Sequence, residues 1–239
     1  EFLSILFRRY PLFELMIEDE EHGLIHTLQD FYLCIEIIMR DDSEIKDKID
    51  WKVLLVASIL HDVTAIVERK EHNETAALVI RALLEAEHNY EEAFISKVID
   101  IVRAHGVRER YKDIRDKWIE ARILSADADT MAVALDIQRG LKISQRAKRK
   151  TGQPFFNRKI PTETRVKVLR RELRRESRDY DALVYLLYQI LVKADKKYYI
   201  TEGAKKYIQE IGEEYIDNAV KILKEAINDE INSEEDKEL

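Results

Sequence analysis

Only six glycines and three prolines interrupt this chain of 239 residues, and that scarcity limits the folds open to it. A fold built from many short strands needs tight turns, which depend on glycine and proline. Long helices need far fewer of these residues. Because 46% of the residues are hydrophobic, the chain can also fill a core. The sequence therefore predicts an all-α fold.

Apolar residues recur at three- and four-residue spacing along most of the chain, which is typical of amphipathic helices. The first predicted buried stripe comprises Leu24, Leu28, Phe31, Ile35 and Ile38. His26 lies off the centre of that stripe. A second helix is expected from Trp51 to about His61, with Asp50 as its N-cap, because aspartate is a favoured capping residue.

The same patterns predict three more helices around the middle of the chain. One begins near His72, with Asn73 as its cap. Another ends at His105, because the glycine that follows is typical of a helix stop. A third carries Asp127 and Asp129 at positions that do not share a face.

Charge is distributed unevenly along the chain. Residues 142–178 contain fourteen lysines and arginines against three glutamates, whereas the whole chain has a formal charge of −7. Such a basic segment attracts polyanions, and phosphate is the obvious one. A solvated helix face with a mobile loop is the competing interpretation. Within the segment, residues 144–160 are predicted to form a basic loop or flap.

Cys34 is the only cysteine, so the chain has neither an internal disulfide framework nor a Cys-X-X-Cys metal site. This favours a cytoplasmic setting. No membrane partner is expected, because the longest uncharged stretch, residues 182–192, is too short to cross a bilayer as a helix. The first ten residues lack the basic start of a signal peptide, so none is expected.

A histidine followed directly by an aspartate, His61-Asp62, closes the apolar run of residues 53–60. Further histidines and aspartates flank it in order, namely His26, His72, His105 and Asp129. Imidazole and carboxylate together suit first-row divalent metals, and mixed sets of this kind are typical of hydrolytic sites. Neighbouring residues on a helix point about 100° apart, so a helix end is the easiest place for both to share an ion.

The order of these residues resembles that of the HD superfamily of metal-dependent phosphohydrolases, in particular its small stand-alone bacterial and archaeal members. The family pattern is a histidine, a His-Asp doublet after an apolar helix, and a distal aspartate. His26, His61-Asp62 and Asp129 match that pattern. The resemblance covers roughly residues 20–132.

A further pair of residues is similar to those family members that hold two metals. The pair consists of His72, followed by Ala76 and Ala77, and of His105 at a helix end. The resemblance implies that His72 and His105 hold the second ion. Asp62 would bridge the two ions.

The resemblance implies four ligands for the first ion, which are His26, His61, Asp62 and Asp129. It also implies that His61 and Asp62 are the catalytic pair. Asp127 stays open as an alternative to Asp129. One or two divalent ions are expected, and the sequence leaves Mn, Fe, Co, Ni, Mg and Zn open as their identity.

The fold implied by the resemblance is a compact multi-helix HD-domain bundle with additional C-terminal helices and a basic loop. Residues 1–143 would form the metal-binding helical core, and 144–160 the loop or flap. Residues 161–239 would supply C-terminal helices packed on that core in one domain. The motif also departs from the family, since residues 61–65 lack the glycine and lysine of His-Asp-Ile-Gly-Lys. That departure counts against the cyclic-dinucleotide branch.

The leading functional prediction is an enzyme, a metal-dependent phosphohydrolase that acts on a nucleotide or a similar small phosphorylated molecule. Lys148, Arg149 and Lys150 are candidates for binding the substrate phosphate. A metal-dependent nuclease that uses the basic segment as a backbone track is one alternative. A non-catalytic helical interaction module is another. Whether the chain forms a homo-oligomer stays open.

The two remaining histidines lie outside this set. His22 is equally consistent with a supporting position beside the ligands and with a surface position. His22 and His26 have the spacing of a zincin pair, but Gly23 stands where the general-base glutamate belongs, so that motif is rejected. His88 lies among polar residues and is interpreted as part of a solvated turn.

Overall fold

The computed structural model describes most of the first half of the chain and a C-terminal part. The described residues are 16, 19, 22–41, 44–65, 67–68, 71–87, 90–105, 111–137, 140–141 and 193–235. Over these residues the protein is all-α and contains no strand, which confirms the predicted fold class. The predicted loop 144–160 lies outside the described residues, as does 161–192 of the predicted C-terminal segment, so the domain boundaries stay predictions.

The chain divides into two compact units. The first comprises Glu1–Ala132 with Tyr199–Tyr207, and the second comprises Val133–Tyr198 with Ile208–Leu239. The helices that begin in the first part of the chain are α1 Leu24–Arg40, α2 Ile45–Lys48, α3 Trp51–Leu60, α4 His72–Ala86, α5 Glu92–Ala104, α6 Lys112–Lys117 and α7 Ile119–Ala121. A π-helix, Arg122–Ala128, then leads into α8, Asp129–Leu135. A short 3-10 helix, Lys196–Tyr198, precedes α9, Glu202–Glu235.

Helix α3 forms the centre of the first unit. The side chain of Asp50 accepts hydrogen bonds from the backbone N–H groups of Lys52 and Val53, which confirms the predicted cap. Seven of its ten residues are buried, because α3 packs against both α1 and α5. A helix buried this extensively holds its C-terminal end firmly in the interior, where His61 follows.

Helix α1 buries a different face from the predicted one. Leu28, a member of the predicted stripe, is 44% exposed. The buried residues are His26, Thr27, Asp30, Leu33, Cys34, Ile37 and Ile38. His26 therefore lies within the buried face, and the prediction that it lies off centre is wrong. This face is buried because it contributes polar side chains to a cluster of histidines and aspartates, as well as apolar side chains to the core.

The start of α4 was predicted correctly, but its cap was not. Asn73 makes no capping bond, and its side chain instead donates a 2.9 Å hydrogen bond to the backbone oxygen of Arg103 in α5. This bond joins the beginning of α4 to the end of α5. Helix α5 ends at Ala104 with His105 as its cap, as the sequence predicts.

The second unit has a small apolar core of its own. It consists of Ile137, Leu141, Tyr215, Ala219 and Leu223. Burial raises the pKa of the Tyr215 phenol, since the ionised form would lose its hydration. Among the residues that the structure describes, no helix is both long enough and apolar enough to cross a membrane.

Candidate metal centre

The His-Asp doublet lies in the turn that directly follows α3. Both side chains are wholly buried. The Nδ1 atom of His61 lies 2.8 Å from the backbone oxygen of Ser58, and since a carbonyl only accepts, Nδ1 must carry the hydrogen. The other ring nitrogen, Nε2, therefore presents its lone pair to the interior. This is the arrangement that most metal-binding histidines adopt.

One oxygen of Asp62 faces three histidines. Nδ1 of His22 donates a 2.8 Å hydrogen bond to Oδ2 of Asp62. The Nε2 atoms of His26 and His61 each lie 3.5 Å from the same oxygen. His22 therefore belongs beside the ligand set and not on a bare surface, which resolves the two interpretations that the sequence left open.

The second oxygen of Asp62 faces the other two histidines of the predicted set. Oδ1 lies 3.4 Å from Nε2 of His72 and 3.2 Å from Nε2 of His105. The carboxylate thus separates two groups of imidazoles, with one oxygen turned toward each. Such an arrangement fits a bridging ligand.

Asp129 completes the predicted set from the first turn of α8. Its Oδ1 lies 3.2 Å from Nε2 of His26, and its Oδ2 lies 3.4 Å from Nδ1 of His105. The segment immediately before it is a π-helix, whose turns are wider than those of an α-helix. Short π-helical segments are frequent at functional sites. The structure thus brings together all six predicted ligands.

The alternative ligand Asp127 points elsewhere. Its carboxylate accepts hydrogen bonds of 2.8 Å from the backbone N–H groups of Ile200 and Thr201 and one of 2.6 Å from the Thr201 hydroxyl. Those bonds fix the segment before α9 against the π-helix. Asp127 is therefore engaged in holding the fold, and Asp129 is the distal aspartate that faces the histidines.

The sequence did not single out Asp30, which lies at the centre of the cluster. Its Oδ2 lies 3.3 Å from Nε2 of His26 and 3.4 Å from Nε2 of His61. The signal that was available is spacing, because Asp30 follows His26 by one helical turn and so shares its face. The apolar stripe that the sequence predicts for α1 lies on a different face of the helix, so it gave no indication that Asp30 is buried.

The cluster could hold a metal ion. Three overlapping groups, each with its ligand atoms within 4.8 Å of one another, are His26/Asp30/His61/Asp129, His22/His26/Asp62 and His61/Asp62/His105. Within the described residues, several buried atoms of the cluster make no hydrogen bond, namely both ring nitrogens of His26, both oxygens of Asp30, Nε2 of His61, Oδ1 of Asp62 and Nδ1 of His105. Buried polar atoms normally have partners, so this concentration of unpartnered atoms leaves ligand atoms available for a metal ion.

The electrostatics of the cluster also favour positive charge. Burial lowers the pKa of His26, but the carboxylates of Asp30, Asp129 and Asp62 outweigh burial and raise it to about 10. Burial likewise opposes protonation of His105, yet Asp129 and Asp62 raise its pKa to about 9. At His61, burial dominates and lowers the pKa to about 4. The carboxylates therefore favour the protonated forms of His26 and His105, and a bound cation would take the place of those protons.

Hydrogen bonds from outside the cluster hold His72 and His105 in place. The hydroxyl of Thr64 donates a 2.8 Å bond to the backbone oxygen of His72. The buried Arg115 donates a 2.6 Å bond to the backbone oxygen of Ala104, directly before His105. Supporting bonds of this kind keep ligand side chains in register for a metal.

Gly23 explains how His22 approaches the cluster. A Cβ atom at Gly23 would lie 2.0 Å from the backbone oxygen of Asp19, which no side chain tolerates. Glycine therefore permits the tight turn ahead of α1. In that turn, the side chain of Asp19 accepts a 2.6 Å hydrogen bond from the backbone N–H of His22.

The predicted phosphate-binding residues, Lys148, Arg149 and Lys150, lie outside the described residues. No protein-family model, curated protein or solved structure matches this chain. The similarity to the HD superfamily therefore remains one of residues and spacing.

Proposed function

We propose that this protein is an HD-type metal-dependent phosphohydrolase that cleaves a phosphoester or phosphoanhydride bond of a nucleotide or a similar small phosphorylated molecule. One observation carries the proposal. Six residues that are scattered between His26 and Asp129 in the sequence form one cluster. The buried Asp62 lies between two sets of imidazoles in it.

The cofactor would be one or two divalent ions, drawn from Mn, Fe, Co, Ni, Mg and Zn. His26, His61, Asp62 and Asp129 would hold the first, and Asp62, His72 and His105 the second. Such ions supply two things to phosphoryl chemistry, namely neutralisation of charge on phosphate oxygens and activation of water as a nucleophile. The protein supplies their positions.

The side chains of the cluster have different roles, which follow from their geometry. The bond from His61 to Ser58 fixes the tautomer, so that Nε2 is ready to bind without further reorganisation. Asp62 stays ionised, because the imidazoles around it hold its pKa below the usual range in spite of its burial. A buried carboxylate that stays charged is the natural bridge between two cations.

Substrate would approach from the side on which the cluster meets solvent. The side chains of His22, His72 and Asp129 are 28%, 19% and 17% exposed, whereas Asp62 is wholly buried. A phosphate that enters past these three residues would reach the ions without displacing the buried ligands. We place the reaction in the cytoplasm, because the lone Cys34 leaves no disulfide framework.

The test is hydrolysis of a panel of nucleoside mono-, di- and triphosphates and of single-stranded nucleic acid. The protein is first treated with a chelator, and Mn, Co, Ni or Mg is then added back. Wild type is compared with Asp62→Ala and with Asp116→Ala, which removes an exposed aspartate of α6. We expect metal-dependent turnover in wild type and Asp116→Ala and none in Asp62→Ala.

Other outcomes would redirect the interpretation. Cleavage of nucleic acid without nucleotide hydrolysis would replace the small-molecule substrate with a nuclease function. No turnover with any metal, together with thermal stability that is unchanged by chelation, would overturn the proposal. A helical interaction module would then be the better account.

A further inference from the structure

Asp30 occupies a position that the predicted ligand set does not explain. It is wholly buried in α1, and within the described residues neither of its carboxylate oxygens has a hydrogen-bond partner. Burying a carboxylate without a partner is costly unless a proton or a cation compensates it. A proton or a cation must therefore compensate Asp30.

The atoms around Asp30 indicate where a compensating proton or cation would lie. Oδ2 of Asp30 lies 3.4 Å from Nε2 of His61, whose hydrogen is on the other nitrogen. A carboxylate oxygen and a nitrogen lone pair are both acceptors, so they repel unless a positive centre lies between them. Oδ2 also lies 3.3 Å from Nε2 of His26, which brings a third group to the same point.

The separations fit an ion better than a shared proton. A direct hydrogen bond from a carboxyl group would bring the heavy atoms to about 2.7 Å. When each metal–ligand bond is about 2.1 Å, neighbouring ligand atoms lie about 3.0 Å apart around an octahedral ion and about 3.4 Å apart around a tetrahedral one. Asp30 Oδ2 lies 3.3 Å from His26 Nε2 and 3.4 Å from His61 Nε2, and His26 Nε2 lies 3.2 Å from Asp129 Oδ1, so these three separations fall in that range.

We propose that Asp30 is itself a metal ligand. The ion beside His26 and His61 would then be held by the carboxylates of Asp30, Asp62 and Asp129 as well as by the two imidazoles. This inference rests on the metal centre of the proposed function, although it does not depend on which bond is cleaved. Three carboxylates make the first site rich in oxygen, and carboxylate ligands favour Mn²⁺, whereas imidazole suits Zn²⁺.

The test measures binding of the metal alone. Mn²⁺ and Zn²⁺ are titrated into chelator-treated wild type, Asp30→Asn and the matched control Asp127→Asn, which changes another buried carboxylate that bonds to the backbone. Outer-shell changes typically cost about 10–100-fold in affinity, so loss of a ligand should weaken Mn²⁺ binding by about 100-fold or more. The loss for Zn²⁺ should be smaller, and Asp127→Asn should stay within about threefold of wild type. Mn²⁺ affinity in Asp30→Asn within about threefold of wild type would overturn the inference.

A second variant tests ligation directly and does not depend on how Asp30→Asn folds. In Asp30→Cys, bound Co²⁺ should show the intense near-ultraviolet absorption of a cobalt–thiolate bond, because a thiolate at this position would replace the carboxylate. Wild type, which has only the buried Cys34, provides the background. Bound Co²⁺ without that absorption in Asp30→Cys would also overturn the inference.

These measurements test the role of Asp30 independently of the proposed hydrolysis reaction. If wild type binds Mn²⁺ but hydrolyses no substrate, the proposed function fails and the role of Asp30 is decided by affinity and absorption. If wild type binds no divalent ion, the metal centre is wrong and Asp30 cannot be a ligand.

Discussion

A hydrogen bond of 2.8 Å joins Nδ1 of His22 to Oδ2 of Asp62, the carboxylate that lies between the two groups of imidazoles. His22 therefore orients the residue on which both proposed ions depend. We expect His22→Ala to weaken Mn²⁺ binding by about tenfold, the scale of a lost supporting contact. Titration of chelator-treated protein measures this. His88→Ala, which changes the histidine that the sequence places outside the set, is the matched control.

Two results would contradict this role for His22. An affinity equal to wild type would mean that Asp62 needs no orienting partner. A loss as complete as that of Asp62→Ala would make His22 a ligand in its own right.

The carboxylates of Asp127 and Asp129 should have separable effects. Asp127→Ala would remove the acceptor of the backbone N–H groups of Ile200 and of the buried Thr201, at a cost of about 2 kcal/mol in the free energy of unfolding, but should leave Mn²⁺ affinity near that of wild type. Asp129→Ala should instead weaken Mn²⁺ binding by about 100-fold. Urea unfolding of the metal-free proteins and metal titration together measure both effects. The reverse pattern would make Asp127 the distal ligand.

Metal binding should release protons. With pKa values of about 10 for His26 and about 9 for His105, both rings carry a proton at neutral pH in the metal-free protein. A ligand nitrogen must lose its proton before it binds a metal, so affinity should fall as the pH is lowered and should rise until the pH passes these values. Calorimetric titration in buffers of different ionisation enthalpy measures the released protons. A binding enthalpy that is the same in every buffer would argue against protonated ligands.

Two glycines of α9 should respond oppositely to alanine. A Cβ atom at Gly203 would lie 2.0 Å from the backbone oxygen of Ile37, whereas Gly212 has open space around it. Gly203→Ala should therefore lower the free energy of unfolding by about 1–3 kcal/mol through overpacking. Gly212→Ala should raise it by about 0.5–1 kcal/mol, because alanine is the better helix former.

Denaturant unfolding of both variants measures these changes. Equal stability of the two variants would show that the contact between Gly203 and Ile37 relaxes at little cost.

Local signals predicted much of the fold. The N-cap at Asp50, the start of α4 at His72 and the end of α5 at His105 follow from short-range rules about turns and apolar spacing. The order of the six predicted ligand residues also indicated which side chains lie together. These predictions succeeded because each depends on residues within a few turns of one another or on a resemblance in their order.

Long-range contacts determined what the sequence could not predict. Apolar spacing placed Leu28 on the buried face of α1 and overlooked Asp30. The polar side chain of Asp30 is buried beside His26 of the same helix and His61 of the turn after α3. Asn73 was expected to cap its own helix, yet its partner lies in α5. No local pattern foretold the π-helix that precedes Asp129.

The cluster draws its side chains from α1, the turn after α3, the start of α4, the end of α5 and the start of α8. His26 and Asp129 lie more than a hundred positions apart in the chain. Ions held by these side chains and linked through Asp62 would together close several long loops, and the chain entropy of those closures opposes assembly until the intervening helices have formed. Partly unfolded forms that release α1 or α8 would therefore lose the ion, and occupancy of the centre would report on the integrity of the whole first unit.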